Sequence, residues 1–320
     1  MAACGSGSSS SPPPAPNPPL TQPPASTTWS ATGRVIDTVG RQPLPSIQIS
    51  PSWELASVTT AADGTFSISS ASNPPTNPYR LNISGPGLVS RSVWVSWQSG
   101  PRTGVEIDVI RDAAPFSLGF YQNFVRGTFD QPGAPYAVLR WMDSPRFYVK
   151  TVDQNGRAIE PEVLQVVRDA IARAVPAFTG GRLSVAVLDT GTEDRPPTSG
   201  WVNVHILRDP NERARCGFAS VGANPGSITL YNDLCSCGSV KIPGSTVMHE
   251  VGHALGFFHV PDNRSVMFPT APGNCPPGQL SAAEQFHAAI AYSRPRGNLE
   301  PDIDPSTSRT LTGPPLVIER

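Results

Sequence analysis

The sequence carries little charge and hardly any lysine. Charged residues make up 15% of the 320 positions, and Lys150 and Lys241 are the only lysines. The formal net charge is −1, so acidic and basic side chains almost cancel. Nucleic acids and acidic membrane surfaces attract clustered positive charge. We therefore expect no nucleic acid partner.

Long apolar segments are missing as well. No run of about 18 apolar residues, the length that crosses a bilayer, occurs in the sequence. Residues 1–27 are mainly serine, proline and alanine, without the hydrophobic stretch of a signal peptide. Such a segment buries too little to offset the entropy cost of ordering. We expect it to be a disordered tether.

Cysteine occurs only five times, and four of the five lie in the C-terminal half at Cys216, Cys235, Cys237 and Cys275. A thiolate zinc site is one interpretation, but Cys-x-Cys is not the usual zinc spacing of two to four intervening residues. The favoured interpretation is two disulfides, in which one of Cys235 or Cys237 pairs with Cys216 and the other with Cys275. Disulfides persist in oxidising compartments and indicate an extracytoplasmic protein. Four cysteines allow three connectivities, and the sequence does not choose among them.

The fifth cysteine, Cys4, lies in the sequence Ala2-Ala3-Cys4-Gly5. This sequence resembles the end of a bacterial lipoprotein signal, in which the cysteine becomes the lipidated first residue. The resemblance implies a lipid anchor at Cys4 followed by a Ser/Pro-rich stalk. The alternative is a cysteine without a role in a floppy tail. We expect either a secreted or a cell-envelope protein of a bacterium.

Residues 28–113 are predicted to form a small β-sandwich, because short β-branched and aromatic runs alternate with turn signals and show no helical period. Asp63-Gly64 predicts a tight hairpin turn. Residues 32–37 and 62–66 resemble the carboxypeptidase-regulatory-like domains, which implies a transthyretin-like fold and a spacer or interaction role. The predicted strands are 34–37, 47–49, 65–68, 79–83, 91–95 and 105–109.

Residues 114–298 are predicted to form a second domain of mixed α and β structure, followed by a proline-containing C-terminal tail at 299–320. Pro161 opens a helix with one apolar face, which Pro176 and the following glycines end. Acids in the loop 189–200 could bind calcium, but solvated loop carboxylates are commoner, so calcium is not predicted. The predicted strands are 146–150, 183–188, 202–207 and 228–231.

The sequence from His249 to His259 holds three of the five histidines. His249 and His253 are four residues apart, so both imidazoles project from one face of a helix. Glu250 is offset by about 100° and can reach over a metal without binding it. Gly256 allows the chain to reverse and return His259 as a third zinc ligand. The competing interpretation is three hydrogen-bonded core histidines.

Residues 249–259, followed by Ser-Val-Met at 265–267, resemble the metzincin zinc peptidases, closest to the matrixin branch. The resemblance implies an α+β fold: a twisted mixed sheet with helices, and a cleft beneath an edge strand near 228–231. It makes Met267 the methionine of the Met-turn under the metal. Phe268 stands where other branches place a tyrosine ligand. Residues 280–292 supply the final helix, with a capping box of Ser281 and Glu284.

The expected function is that of a zinc-dependent endopeptidase that acts on extracellular proteins or peptides. His249, His253 and His259 would hold one Zn²⁺, and Glu250 would be the general base. Ser245 or Thr246 is the expected N-cap of the zinc helix. The alternative is a surface binding or adhesion protein with an accessory or inactive peptidase domain. We expect a monomer.

Overall fold

The computed structural model describes residues 29–53, 56–70, 76–96, 101–208, 215–232, 241–269, 278–306 and 317–319. Within these ranges the chain has the mixed α and β structure that the sequence predicts, with several sheets and four helices. None of the helices in this part of the chain is long and apolar enough to cross a membrane. The predicted tether at 1–27 lies outside the described residues.

The N-terminal part consists of seven strands in two sheets, a three-stranded sheet β4-β1-β7 and a four-stranded sheet β3-β2-β5-β6. Strands β1 and β7 are parallel, and the other pairs are antiparallel. Alternate residues face a shared core, where the rings of Trp29, Trp53 and Tyr79 meet edge to face. The strands are β1 (Trp29–Asp37), β2 (Gln48–Pro51), β3 (Val58–Thr59), β4 (Thr65–Ser70), β5 (Tyr79–Ser84), β6 (Arg91–Val95) and β7 (Arg102–Val109).

The turn at Asp63-Gly64 is present, but it does not form the predicted hairpin. Gly64 adopts a positive φ of 77°, and its N–H donates to the carbonyl oxygen of Ala61. The strands before and after this turn belong to different sheets, because β3 pairs with β2 and β4 pairs with β1. A Gly with positive φ specifies a tight turn, whereas strand pairing depends on distant partners.

The C-terminal part is organised around a six-stranded sheet with the order β13-β11-β12-β10-β8-β9. Strands β8, β9, β10 and β12 are parallel, whereas β11 is antiparallel to both of its neighbours. The strands are β8 (Arg146–Lys150), β9 (Val187–Gly191), β10 (Trp201–Leu207), β11 (Gly217–Ser220), β12 (Gly226–Tyr231) and β13 (Val317–Glu319).

Two sequence predictions about this sheet are wrong. The strand predicted at 183–188 begins at Val187, so that Leu183 and Val185 pack against the core from outside the strand. The strand near Ile228 is not an edge strand, because β12 lies between β10 and β11. Both errors concern pairing between strands distant in sequence, which local patterns do not report.

The helices are α1 (Leu118–Arg126), α2 (Pro161–Phe178), α3 (Gly244–Ala254) and α4 (Ala282–Ser293). Helix α2 begins at Pro161 as predicted, and its buried face carries Val163, Val167, Ile171 and Val175. It continues through Pro176 to Phe178, although a proline at this position removes one i→i−4 hydrogen bond. Helices α2 and α3 pack together in the main hydrophobic core.

Helix α1 is absent from the sequence predictions. Ser117 caps it by accepting a hydrogen bond from the backbone N–H of Phe120, and Gly127 ends it with a φ of 68°. The ring of His287 in α4 contacts this cap, because its Nε2 accepts a hydrogen bond from the backbone N–H of Ser117 at 3.0 Å. Burial lowers the pKa of His287, so the neutral, accepting ring is favoured.

Residues 299–304 connect the two parts of the molecule. The N–H of Ser92 in β6 donates to the carbonyl oxygen of Asp302, and the N–H of Asp304 donates to that of Ser92. Arg294, which is fully buried, donates to Asp302 and to Asp108 of β7. The first residues of the predicted tail are therefore packed between the two parts, whereas the domain boundaries stay a prediction.

Candidate metal centre

The structure brings His249, His253 and His259 together. Helix α3 presents the first two on one face, and Gly256, with a φ of 103°, allows the chain to turn after the helix. The three Nε2 atoms lie 3.0, 3.2 and 3.3 Å apart, and the three residues are at most 3% exposed. Tetrahedral zinc with Zn–N bonds of about 2.0–2.1 Å requires nitrogen atoms about 3.3 Å apart.

Hydrogen bonds at the outer ring nitrogens determine which nitrogen faces the centre. The Nδ1 of His249 lies 2.7 Å from the carbonyl oxygen of Val266, and that of His253 lies 2.8 Å from the carbonyl oxygen of Phe257. A carbonyl oxygen only accepts, so both Nδ1 atoms carry hydrogen and both Nε2 atoms keep a lone pair for a metal. The donor set therefore fits zinc.

The third histidine has a different partner. The Nδ1 of His259 lies 2.7 Å from Oδ1 of Asp130, and its backbone N–H donates to Oδ2 of the same carboxylate at 3.1 Å. Asp130 follows α1 and is 129 residues away in the sequence. Asp130 is not among the residues predicted from the sequence, because no local pattern reports a contact over that separation.

The N-terminus of helix α3 differs from the prediction. Pro243 occupies the N-cap in an extended conformation, and Ser245 and Thr246 already belong to the first turn. The carbonyl oxygen of Pro243 accepts from the N–H of Thr246 at 3.0 Å. Proline restricts its own φ, so Pro243 holds the extended conformation before the helix without a side-chain cap. Neither Ser245 nor Thr246 is therefore the N-cap.

Met267 lies in the core against helix α3. It is fully buried, and a Cβ built on Gly252 would lie 2.6 Å from its Sδ and 2.7 Å from the ring of Phe178. Gly252 therefore allows Met267 to approach the helix between His249 and His253. The assignment of Met267 to a Met-turn stays a prediction.

Glu284 supports the segment that carries Met267. The predicted capping box of α4 is confirmed, since Ser281 and Glu284 exchange side-chain to backbone hydrogen bonds. The second carboxylate oxygen of Glu284 accepts from Oγ of Ser265 at 2.5 Å and from the N–H of Met267 at 3.3 Å. Glu284 is completely buried, so a single carboxylate serves both the helix cap and the turn.

Glu250 is also completely buried, and its carboxylate lies against β11. A Cβ built on Gly217, the first residue of that strand, would lie 2.9 Å from Oε1 of Glu250. The absence of a side chain at Gly217 therefore leaves the space that the carboxylate occupies. Phe268, which follows Met267, is half-buried and has no metal-binding atom.

Of the five cysteines, the structure describes only Cys216. Cys216 is buried next to β11, whereas Cys4, Cys235, Cys237 and Cys275 lie outside the described residues. The disulfides and the lipid anchor therefore stay predictions.

The loop 189–200 has no part in the histidine centre. Asp194 accepts from Lys150 at 2.7 Å, and Asp189 lies 3.8 Å from Arg195. Within the described ranges, His249, His253 and His259 form the only cluster of three or more metal-ligating side chains. Burial lowers the pKa of His205, whose Nδ1 lies 3.8 Å from Asp194.

Comparison with known proteins gives a short sequence likeness. No protein-family model matches the chain. The chain is similar to Extracellular metalloprotease 1 of Coccidioides posadasii (strain C735), with 36% identity over 67 residues. This similarity covers 18% of the chain and 24% of that relative, so the chain spans about a quarter of the relative's length.

Two solved structures show weaker likeness. One is high choriolytic enzyme 1, a hatching enzyme zinc-protease from Oryzias latipes, with 13% identity, 48% of this chain and 94% of that chain covered, and a TM-score of 0.29. The other is a DUF3823 family protein from Parabacteroides merdae, with 22% identity, 27% and 48% coverage, and a TM-score of 0.22. Both TM-scores are too low to establish a shared fold.

Proposed function

We propose that the protein is a zinc-dependent endopeptidase that cleaves peptide bonds in extracellular proteins. The observation that carries the proposal is the triangle of three Nε2 atoms at 3.0–3.3 Å, with Glu250 on the same helix. The short similarity to an extracellular metalloprotease supports the same activity. His249, His253 and His259 would hold the ion and leave a fourth position open.

The chemistry requires an ion and a base. A bound zinc ion would supply Lewis acidity, which lowers the pKa of water to about 7 and polarises a carbonyl oxygen. Glu250 would accept a proton from the attacking water and transfer it to the nitrogen of the leaving amine. Burial of Glu250 and the histidines in the core excludes bulk solvent and strengthens their electrostatic effect.

A peptide substrate would pair with β11. This strand has β12 on one side and the short strand β13 on the other, in the register Phe218 with Glu319 and Ser220 with Val317. Extended peptides bind at the edge of a sheet through main-chain hydrogen bonds. Gly217 brings this edge next to Glu250, so a peptide in the place of β13 would reach the base.

Several finer assignments belong to the same proposal. The motif at 249–259 and Met267 support a metzincin of the matrixin type, and Phe268 is consistent with that branch. The cysteines and the extracellular relative support an extracytoplasmic location, secreted or anchored through Cys4. The N-terminal strands would form the transthyretin-like domain. We propose a monomer without a nucleic acid partner.

Removal of the proposed base tests the function. We expect the protein to bind one zinc ion and to cleave casein or gelatin, and the Glu250→Ala variant to keep the zinc and lose turnover. A general base contributes about 10²–10⁴-fold to the rate. A folded, zinc-loaded protein with no more activity than this variant would support the alternative, a surface binding protein with an inactive peptidase domain.

A further inference from the structure

Asp130 contacts the third histidine twice. One carboxylate oxygen lies 2.7 Å from Nδ1 of His259, and the other accepts the backbone N–H of the same residue at 3.1 Å. We propose that Asp130 is a positioning residue of the metal centre, which fixes the main chain and the imidazole of His259 together. This role rests on the proposed function, because it assumes that His259 binds zinc.

His259 needs such a partner more than the other two histidines. His249 and His253 belong to helix α3, whose backbone fixes their Cα positions, and main-chain carbonyls orient their rings. His259 lies beyond the end of that helix, after the turn at Gly256. Both its backbone and its ring must therefore be fixed from outside the helix. The two oxygens of Asp130 meet both requirements.

The segment that carries Asp130 is itself packed against the turn before His259. The N–H of Phe258 donates to the carbonyl oxygen of Phe124 in α1 at 2.9 Å. The ring of Phe258 stacks on Tyr136 with a centroid distance of 5.1 Å and an interplanar angle of 13°. The ring of Phe257 stacks on Phe124 at 4.4 Å. Residues before and after Asp130 in the sequence therefore pack against the turn.

Gly127 makes this approach possible. It ends α1 with a φ of 68°, and a Cβ there would lie 2.7 Å from the ring of Phe258. Arg126, the residue before it, is fully buried and donates to Asn298 through Nη2 at 2.6 Å. The start of the loop is thus held by Phe258 on one side and by Asn298 on the other. These contacts place the Asp130 carboxylate next to His259.

The chemistry of the pair explains what it contributes. A carboxylate that accepts from Nδ1–H keeps the hydrogen on that nitrogen and leaves Nε2 available to the metal. It also makes the imidazole a more basic ligand. Because the other two histidines donate to neutral carbonyls, Asp130 alone among these three partners adds a negative charge next to the ion.

Zinc affinity tests the assignment without a substrate. We expect Asp130→Ala to weaken zinc binding by about 10–100-fold in competition with a chelator. Asp130→Asn keeps an oxygen for Nδ1–H but loses the charge and one acceptor, so it should lie between wild type and Asp130→Ala. Asp262→Asn is the matched control, because Asp262 lies close to His259 in sequence and its carboxylate bonds to Arg264.

The tautomer of His259 provides a second measurement, by ¹⁵N NMR of the metal-free protein. We expect hydrogen at Nδ1 in wild type and a mixture of tautomers in Asp130→Ala. Should the alanine variant not fold, the asparagine variant gives both measurements. The proposal is overturned if both folded variants bind zinc within twofold of wild type. Wild-type protein that binds no zinc would instead overturn the proposed function together with this role.

Discussion

Ser265 donates a buried hydrogen bond of 2.5 Å to Glu284, which joins the turn around Met267 to the cap of α4. We expect Glu284→Ala to lower the free energy of unfolding by about 2–4 kcal/mol, because it removes the Glu284 half of the capping box and leaves the buried donors of Ser265 and Met267 without this acceptor. Ser281→Ala loses only the cap and should cost about 1 kcal/mol. Denaturant titration of both variants measures the difference. Equal losses would show that the bond to Ser265 contributes nothing.

Gly217 leaves the space in which the Glu250 carboxylate lies. We expect Gly217→Ala to displace that carboxylate and the facing part of β12, because a Cβ there would also lie 2.8 Å from the carbonyl oxygen of Thr229, and to lower kcat by about 10²-fold, within the range for a general base. The zinc content should be unchanged. Gly119→Ala is the control, because a Cβ at Gly119 meets no atom within 4 Å. Peptidase kinetics and zinc analysis of both variants measure these effects. A Gly217→Ala variant with wild-type kcat would contradict the role of this contact.

Strand β13 occupies the outer side of β11, where the proposed substrate would bind. A chain shortened to end at residue 306 should therefore have a lower KM for peptide substrates, by several-fold to about tenfold, with a similar kcat. A synthetic peptide of residues 307–320 should raise that KM again by competition. Identical KM values for the full and shortened chains would show that β13 does not compete with substrate.

Asp108 lies between two arginines at the contact of the two parts. Burial alone would raise the pKa of its carboxyl, but Arg294 and Arg91 outweigh that effect and hold the pKa well below its usual range. The ion pairs therefore contribute stability above pH about 4, the unfolded value, and this contribution is lost as the pH falls further.

We expect Asp108→Asn to be less stable than wild type at pH 6, with a smaller difference at pH 3. Urea titration across this range measures the free energy of unfolding of both proteins. Glu106→Gln is a suitable control, because Glu106 is exposed on the same strand and pairs with the exposed Arg41. A difference that stays constant from pH 6 to pH 3 would contradict the assignment to the Asp108 carboxylate.

Local patterns predicted the elements that depend on neighbours in sequence. The spacing of His249 and His253 places both on one helix face, Pro161 starts α2, and Ser281 with Glu284 caps α4. Helix α1 was not predicted, because its aromatic and β-branched residues are weak helix formers. Ser117 and Gly127 at its two ends were the available signals.

Contacts between distant segments account for what the sequence did not predict. Asp130 and His259 are 129 residues apart, and the order of β11, β12 and β13 depends on pairing over the whole C-terminal part. The edge of a sheet is a property of its assembly, so the run at Ile228 could not show that β11 covers it. Periodicity reports which face of an element is buried, but not its neighbour.

The buried guanidinium of Arg294 joins the N-terminal strands to the C-terminal part of the molecule. Its partners include Thr38 and Asp108 from that region and Asp302 from the segment after α4. A fragment cut at residues 114 and 298 would lose all three of these partners. Breaking a buried ion pair from one side costs about 3–5 kcal/mol. We therefore expect the C-terminal part to be less stable when it is produced without the N-terminal strands and residues 299–304.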